Sequence, residues 1–105
     1  MRILFDQGTP RPLRNFLPEH TVDTPGPRGW AALSNGELLD IAEEEGFEVL
    51  ITTDQSMRYQ QNLDDRRLAV IVLRSGSWPY ARSKIEEIRA AVVTTQPGEL
   101  QEVQI

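Results

Sequence analysis

Three acidic residues stand where an α/β protein can position reactive groups. Asp6 follows the apolar run "RILF", and Asp54 follows the apolar run "VLITT". Glu37 lies in the first turn of a predicted helix. Converging carboxylates repel one another unless protons or a cation lie between them. A hard divalent ion such as Mg²⁺ takes oxygen ligands and keeps several of its waters. The three acids are therefore candidates for one metal site.

Such a metal site suits the hydrolysis of phosphodiester bonds. A bound divalent ion polarises the phosphoryl group, lowers the pKa of a bound water and neutralises charge on the leaving oxygen. Hydroxyl groups close to the acids are candidates for orienting ligands or water, namely those of Thr9, Thr52 and Thr53. Repulsion between the unscreened carboxylates also predicts that Asp54→Asn stabilises the metal-free protein.

Each acid also has a local structural explanation. Aspartate is common where a strand ends in a turn, so Asp6 or Asp54 taken alone is typical of a turn. Ser34 and Glu37 have the spacing of a capping box, in which a serine and a glutamate three residues later satisfy each other's backbone N–H groups. The local pattern favours this capping role for Glu37. The two roles are compatible, because the cap needs only one carboxylate oxygen.

The elements that must position these acids follow from hydrophobic periodicity and from helix and turn signals. The predicted strands cover residues 2–5, 20–24, 47–53, 68–73 and 102–105. The predicted helices run from a Thr9 cap to Pro18, from the Ser34 cap to Gly46, and from about residue 80 to residue 93. The first helix is expected to bury Leu13, Phe16 and Leu17. The polar stretch 55–67 is expected to hold at most one short helix.

Strands that alternate with helices predict an α/β fold with a mostly parallel central sheet and helices on both faces. In open sheets of this kind, ligands bind at the carboxyl ends of the strands, where the strand order changes direction. Asp6 and Asp54 both stand at such ends. Glu37 begins the helix before a strand, so it can point to the same edge of the sheet.

Length, composition and charge limit the number of domains, the location and the partners of the chain. The 105 residues predict a single domain covering 1–105. Without cysteine, disulfides and thiolate metal sites are excluded, which fits a cytoplasmic location. No apolar run reaches the length of a membrane span, so no membrane partner is expected. The net charge of −5 predicts weak non-specific affinity for nucleic acid, so an RNA substrate requires a local basic patch or a metal ion.

Two stretches carry a resemblance to a known family. "RILFDQGTPRPLRNFLP" and "GWAALSNGELLDIAEEEGFEVLITTDQSMRYQQNL" resemble the PIN-like domains related to VapC-type toxin nucleases. Asp6, Glu37 and Asp54 match the acidic positions of that family. The resemblance implies a three-layer α/β/α PIN-like fold and a ribonuclease site that depends on Mg²⁺ or Mn²⁺, with these three acids as catalytic residues and metal ligands. It also implies the toxin of a bacterial toxin–antitoxin pair, with an antitoxin protein as partner and a homodimer as one possible assembly.

The sequence departs from the family pattern at three positions. Gln7 stands where asparagine is frequent, Ser56 stands where many relatives carry an aspartate, and Asn35 replaces an acid two residues before Glu37. The family commonly uses a fourth carboxylate, and no residue here is assigned to it. These departures leave a second reading open, in which the chain is a catalytically degenerate PIN-like module that binds a partner protein.

Contacts to RNA are expected from residues close to the acids. Arg58 and Tyr59, just beyond Asp54, are candidates for a phosphate and a base, and Arg11 and Arg14 follow Asp6. These arginines could equally cover apolar surface or pair with the glutamate-rich helix.

A phosphoacceptor domain of the response-regulator kind is a further possibility that the sequence disfavours. Such a domain needs an acidic pair after the first strand and a lysine after a late strand. Here Gln7 follows Asp6, and the only lysine, Lys84, lies within a predicted helix.

Overall fold

Five parallel strands build one sheet. In the computed structural model, which describes residues 1–59 and 63–103, the strands are β1 (Arg2–Phe5), β2 (Thr21–Asp23), β3 (Val49–Thr52), β4 (Ala69–Leu73) and β5 (Leu100–Val103). Their order across the sheet is β2-β1-β3-β4-β5, and each neighbouring pair is parallel. The α/β class with a parallel central sheet is therefore confirmed.

The apolar runs became strands because both of their faces are covered. Every residue of β3 and β4 is buried, as are the last three residues of β1. Such two-sided burial is typical of a parallel sheet. β3 is shorter than the predicted strand 47–53, and β5 begins two residues earlier than the predicted strand 102–105. Gln104 and Ile105 of that prediction lie outside the described residues.

Helices cover both faces of the sheet. On one face, α1 (Asn35–Glu44) buries Leu38 and Leu39 in a cluster with Leu50. On the other face, α2 (Trp78–Ser83) and α3 (Ile85–Thr94) pack with strand residues such as Ile71. Alternate residues of a strand point to opposite faces, so one sheet serves both clusters. Full burial of one such aliphatic side chain contributes roughly 1.5–3 kcal/mol.

Two predicted helices differ in the structure. The segment after Asp6 is a 3-10 helix, Arg11–Phe16, and Thr9 does not cap it. The Thr9 hydroxyl instead donates to the Ile51 carbonyl oxygen at 2.8 Å, which ties this loop to β3. Phe16 is 37% exposed rather than buried.

The predicted helix 80–93 is two helices that meet at Lys84, whose backbone (φ −114°, ψ 16°) is not helical. The stretch 55–67 holds two short 3-10 helices, Gln55–Tyr59 and Leu63–Asp65, and residues 60–62 lie outside the described part. Gly46 ends α1 with φ +83°, as its predicted position requires. Among the described residues, no helix has the length and apolar character to cross a membrane.

Candidate functional site

Asp6 and Asp54 follow neighbouring strands at the centre of the sheet. β1 pairs with β3, and the Asp6 N–H extends this pairing by donating to the Ile51 carbonyl oxygen at 2.8 Å. The chain moves from β1 to β2 on one side and from β3 to β4 and β5 on the other. The two acids therefore flank the point where the strand order reverses, which is where open α/β sheets bind ligands.

A single buried hydroxyl joins the two acids. The Thr52 hydroxyl donates to Oδ2 of Asp6 at 2.5 Å and accepts from the Asp54 N–H at 3.1 Å. Thr52 is fully buried, whereas Asp6 and Asp54 are partly exposed. The Thr52 hydroxyl thus links the Asp6 carboxylate to the backbone of Asp54, and a shared site of the two acids stays a prediction.

The carboxylate of Asp54 is held by neutral donors. Ser56 donates to Oδ1 through its hydroxyl at 2.6 Å and through its N–H at 2.9 Å. The Asn35 side-chain amide donates to Oδ2 at 2.8 Å. The Ser56 hydroxyl, the Asn35 amide and the Ser56 N–H, in that order, lower the pKa of Asp54 against a smaller opposing effect of burial. Asp54 is therefore ionised at neutral pH without a bound cation.

Asp6 faces a small cavity. Its Oδ1 accepts the Gln7 N–H at 2.6 Å, and its Oδ2 accepts the Thr52 hydroxyl. A cavity of about 30 Å³ lies against it and is also lined by Arg11 and Thr24. This volume equals about one water molecule in the liquid. The side of the site at Asp6 therefore has room for a water or a single ion.

Glu37 forms the predicted capping box. Its Oε1 accepts the Ser34 N–H at 3.1 Å, while its own N–H donates to the Ser34 hydroxyl at 3.3 Å. The bond from the Ser34 N–H is the main cause that lowers the pKa of Glu37, followed by the Ser34 hydroxyl. No hydrogen bond links Glu37 to Asp6 or Asp54 in the described part of the chain.

Asn35, rather than Glu37, connects α1 to the site. Side chains two positions apart on a helix point in different directions, so the residue that reaches Asp54 and the residue that caps the helix are separated. Among the described residues, no group of three or more histidine, aspartate or glutamate side chains is placed to hold a metal ion. The structure thus links Asp6 to the backbone of Asp54 through Thr52 and leaves Glu37 at the cap.

The two neutral partners of Asp54, Asn35 and Ser56, are two of the three positions where the sequence departs from the PIN-like pattern. The Asn35 amide also donates to the Ser56 hydroxyl at 3.3 Å, so both positions form one cluster with Asp54. The sequence marked Asn35 and Ser56 as departures but did not reveal that they meet. That contact depends on the loop after β3 lying against the first turn of α1.

Glycines hold the loops of the site in close contact. A Cβ atom at Gly8 would lie 2.6 Å from the Thr53 hydroxyl oxygen, and one at Gly76 would lie 2.9 Å from the Gly8 carbonyl oxygen. The loops after β1, β3 and β4 are therefore packed tightly together. Thr53 fills this contact.

The predicted RNA-binding residues fall on both sides of the two acids. Arg11 shares the small cavity with Asp6, and Arg14 donates to the Val22 carbonyl oxygen at 3.4 Å. Arg58 donates to the Gln55 carbonyl oxygen at 3.1 Å and also lies near the Tyr59 hydroxyl. Tyr59 is 73% exposed, so its ring is accessible to a ligand.

No protein family, curated protein or solved structure matches the chain. The membership in the PIN-like family therefore stays a prediction from the two motif-bearing stretches.

Proposed function

We propose that the chain is a metal-dependent ribonuclease with a PIN-like fold, whose site is the Asp6–Asp54 pair. The observation that carries this proposal is the buried Thr52 hydroxyl, which donates to the Asp6 carboxylate and accepts from the backbone N–H of Asp54, while the two acids follow adjacent parallel strands. Two carboxylates at the reversal point of an open sheet are a suitable place for a hydrolytic site. The motif resemblance adds the toxin of a toxin–antitoxin pair, with RNA and an antitoxin protein as partners.

The residues present fit a weakly held Mg²⁺ or Mn²⁺. An ionised carboxylate offers about four acceptor positions. Asp6 uses two of them within the protein and Asp54 uses three, so both retain capacity for a cation or its waters. Mg²⁺ is commonly held by one or two carboxylates together with waters. Bound there, the ion would polarise the phosphoryl group and lower the pKa of a bound water.

The protein side chains have separate tasks in this proposal. Thr52 fixes the orientation of Asp6, and Asn35 with Ser56 fixes that of Asp54. Oε1 of Glu37 remains in the cap, and its second carboxylate oxygen would be the acceptor for a water of a bound ion. Arg11, Arg14, Arg58 and Tyr59 contact the RNA on either side of the acids.

Cleavage of single-stranded RNA in Mn²⁺ or Mg²⁺, with and without EDTA, tests the ribonuclease activity. We expect slow cleavage that EDTA stops and that Asp6→Asn abolishes. Asp65→Asn is the matched control, since it removes the same charge from an exposed residue in the 3-10 helix Leu63–Asp65. Cleavage that resists EDTA and survives in Asp6→Asn would identify a contaminant and refute the proposal.

Glu37→Gln separates the two roles of that residue. Glutamine also serves at this position of a capping box, so the fold should be retained. We expect metal-dependent cleavage to fall by a large factor, because the amide replaces a charged acceptor. Unchanged cleavage with unchanged stability would restrict Glu37 to the cap.

A second candidate function is a catalytically degenerate module that binds a partner protein. The hydrogen bonds from Asn35 and Ser56 favour it, because these neutral groups stabilise the charge of Asp54 without any metal. The double variant Asn35→Asp with Ser56→Asp tests it. If the module is degenerate, the parent shows no thermal stabilisation by Mn²⁺, and the double variant gains it. If Mn²⁺ already stabilises the parent according to RT ln(1 + [L]/Kd), the hypothesis of a catalytically degenerate module is refuted.

A further inference from the structure

A second pocket lies on the same edge of the sheet as the two acids. It has a volume of about 290 Å³, and its walls include Gln55, Arg58, Arg74 and Glu102. The strands are all parallel, so the carboxyl ends of β4 and β5, which form its floor, share an edge with Asp6 and Asp54. Its volume is close to the lower end of the range for ligand pockets, about 300 Å³.

The pocket is fixed to the loop that carries Asp54. The Gln55 side-chain amide donates to the Leu73 carbonyl oxygen at 2.6 Å and to the Thr53 carbonyl oxygen at 3.1 Å. These bonds connect the ends of β3 and β4 through the residue next to Asp54. A ligand in the pocket is therefore held at a constant position relative to the acids.

Arg58 is organised before any ligand binds. Its Nε donates to the Gln55 carbonyl oxygen at 3.1 Å and lies 3.6 Å from Oε1 of Glu102. Its guanidinium carbon lies 5.3 Å from the centre of the Tyr59 ring. These contacts limit the loss of side-chain freedom when the guanidinium takes an anion.

Arg74 is the second arginine that lines the pocket. Its backbone is anchored, because its N–H lies 3.3 Å from both the Val103 carbonyl oxygen and the Tyr80 hydroxyl. No hydrogen bond or ion pair engages its guanidinium in the part of the chain that the structure describes. With two arginines and one glutamate, the pocket is basic although the whole chain carries −5.

We propose that this pocket binds a backbone phosphate of single-stranded RNA. This phosphate is a different one from the phosphate whose bond is cleaved at Asp6 and Asp54. Arginine forks match phosphate oxygens in two parallel hydrogen bonds. The exposed Tyr59 ring beside Arg58 provides a surface on which an unpaired base stacks, which favours a single strand over a duplex. The proposal names the substrate contact of the proposed ribonuclease and rests on that function.

The experiment measures binding without cleavage, by fluorescence anisotropy of a short labelled single-stranded oligoribonucleotide in EDTA. Arg74→Gln should weaken binding roughly fivefold. It should also reduce the slope of log K against log salt concentration by about 0.7. Arg67→Gln is the matched control, because Arg67 is also exposed but precedes β4, whereas Arg74 follows it. The control should change binding little.

Glu102→Gln provides a test that a folding defect cannot imitate. Its carboxylate attracts Arg58 and repels a phosphate, so the variant should bind the oligoribonucleotide about threefold more tightly. Equal losses in Arg74→Gln and Arg67→Gln, together with no gain in Glu102→Gln, would overturn the pocket. Equal affinity for a duplex of the same length would overturn the assignment to a single strand.

The ribonuclease proposal and the phosphate-pocket proposal can be refuted independently of each other. Binding that depends on Arg74, without cleavage in any metal, would refute the ribonuclease but keep the phosphate pocket. Metal-dependent cleavage with identical binding by the Arg74 and Arg67 variants would refute the pocket but keep the ribonuclease.

Discussion

Replacing Asp54 by asparagine should destabilise the metal-free protein. Repulsion between neighbouring carboxylates alone predicts the opposite sign, because one negative charge is removed. In the structure, however, Asp54 accepts hydrogen bonds from the Asn35 amide and from the hydroxyl and N–H of Ser56. The lowered pKa of Asp54 shows that these bonds outweigh the effects that oppose its charge.

The size of the expected loss in stability follows from the hydrogen bonds that Asp54→Asn changes. The introduced amide keeps one oxygen for Ser56, but its NH₂ group replaces the oxygen that accepts from Asn35, so two donors then face each other. A hydrogen bond to a charged group contributes about 1.5–3 kcal/mol in a protected site. Asp54 is partly exposed to water, which reduces this value, so we expect a total loss of about 1–2 kcal/mol.

The loss of stability caused by Asp54→Asn should depend on pH in a defined direction. The pKa of Asp54 is lowered below its ordinary value of 3.8 in the folded protein, so its carboxylate contributes stability above that pH. This contribution is lost as the pH falls through the folded-state pKa. The difference between the parent and Asp54→Asn should therefore be constant near neutral pH and shrink below about pH 4.

Urea denaturation followed by circular dichroism, in EDTA at neutral and at acid pH, measures both effects. Asp65→Asn controls for the change in net charge, because Asp65 is exposed and has no hydrogen bond or ion pair within the described residues. If Asp54→Asn equals or exceeds the parent in stability at neutral pH while the control is unchanged, the hydrogen-bond argument is refuted and repulsion dominates the site.

Further substitutions test the elements that hold the site. Ser34→Ala should lower the free energy of unfolding by about 1 kcal/mol through loss of the α1 cap, and an unchanged urea midpoint would contradict the capping box. Gly36→Ala should raise stability by up to about 1 kcal/mol, because its Cβ meets open space within a helix. Gly76→Ala should lower thermal stability, because its Cβ would lie 2.9 Å from a backbone oxygen, and melts in which both glycine variants shift alike would refute the close loop contact.

The sequence alone determined the order of the strands along the chain, the bounds of α1 and the strand ends that Asp6 and Asp54 follow, but not the two helical segments that differ. Apolar runs longer than a few residues must be buried on both faces, so the strands at 2–5 and 68–73 could be predicted from composition and order. Capping is also local, because its donors and acceptors lie within one helical turn. The cap of α1 at Ser34 and its end at Gly46 were therefore predictable.

Only the tertiary structure decided which side chains meet. Asn35 and Ser56 are separated by 21 positions, yet both bind Asp54, because the order of the strands brings the loop after β3 against α1. The same cause joins Arg58 and Arg74 in one pocket, although Arg74 carries no local signal. Periodicity predicts which face of a helix or strand is buried. The residues that meet in a site depend instead on which loops become neighbours, and the order of the strands in the sheet determines those neighbours.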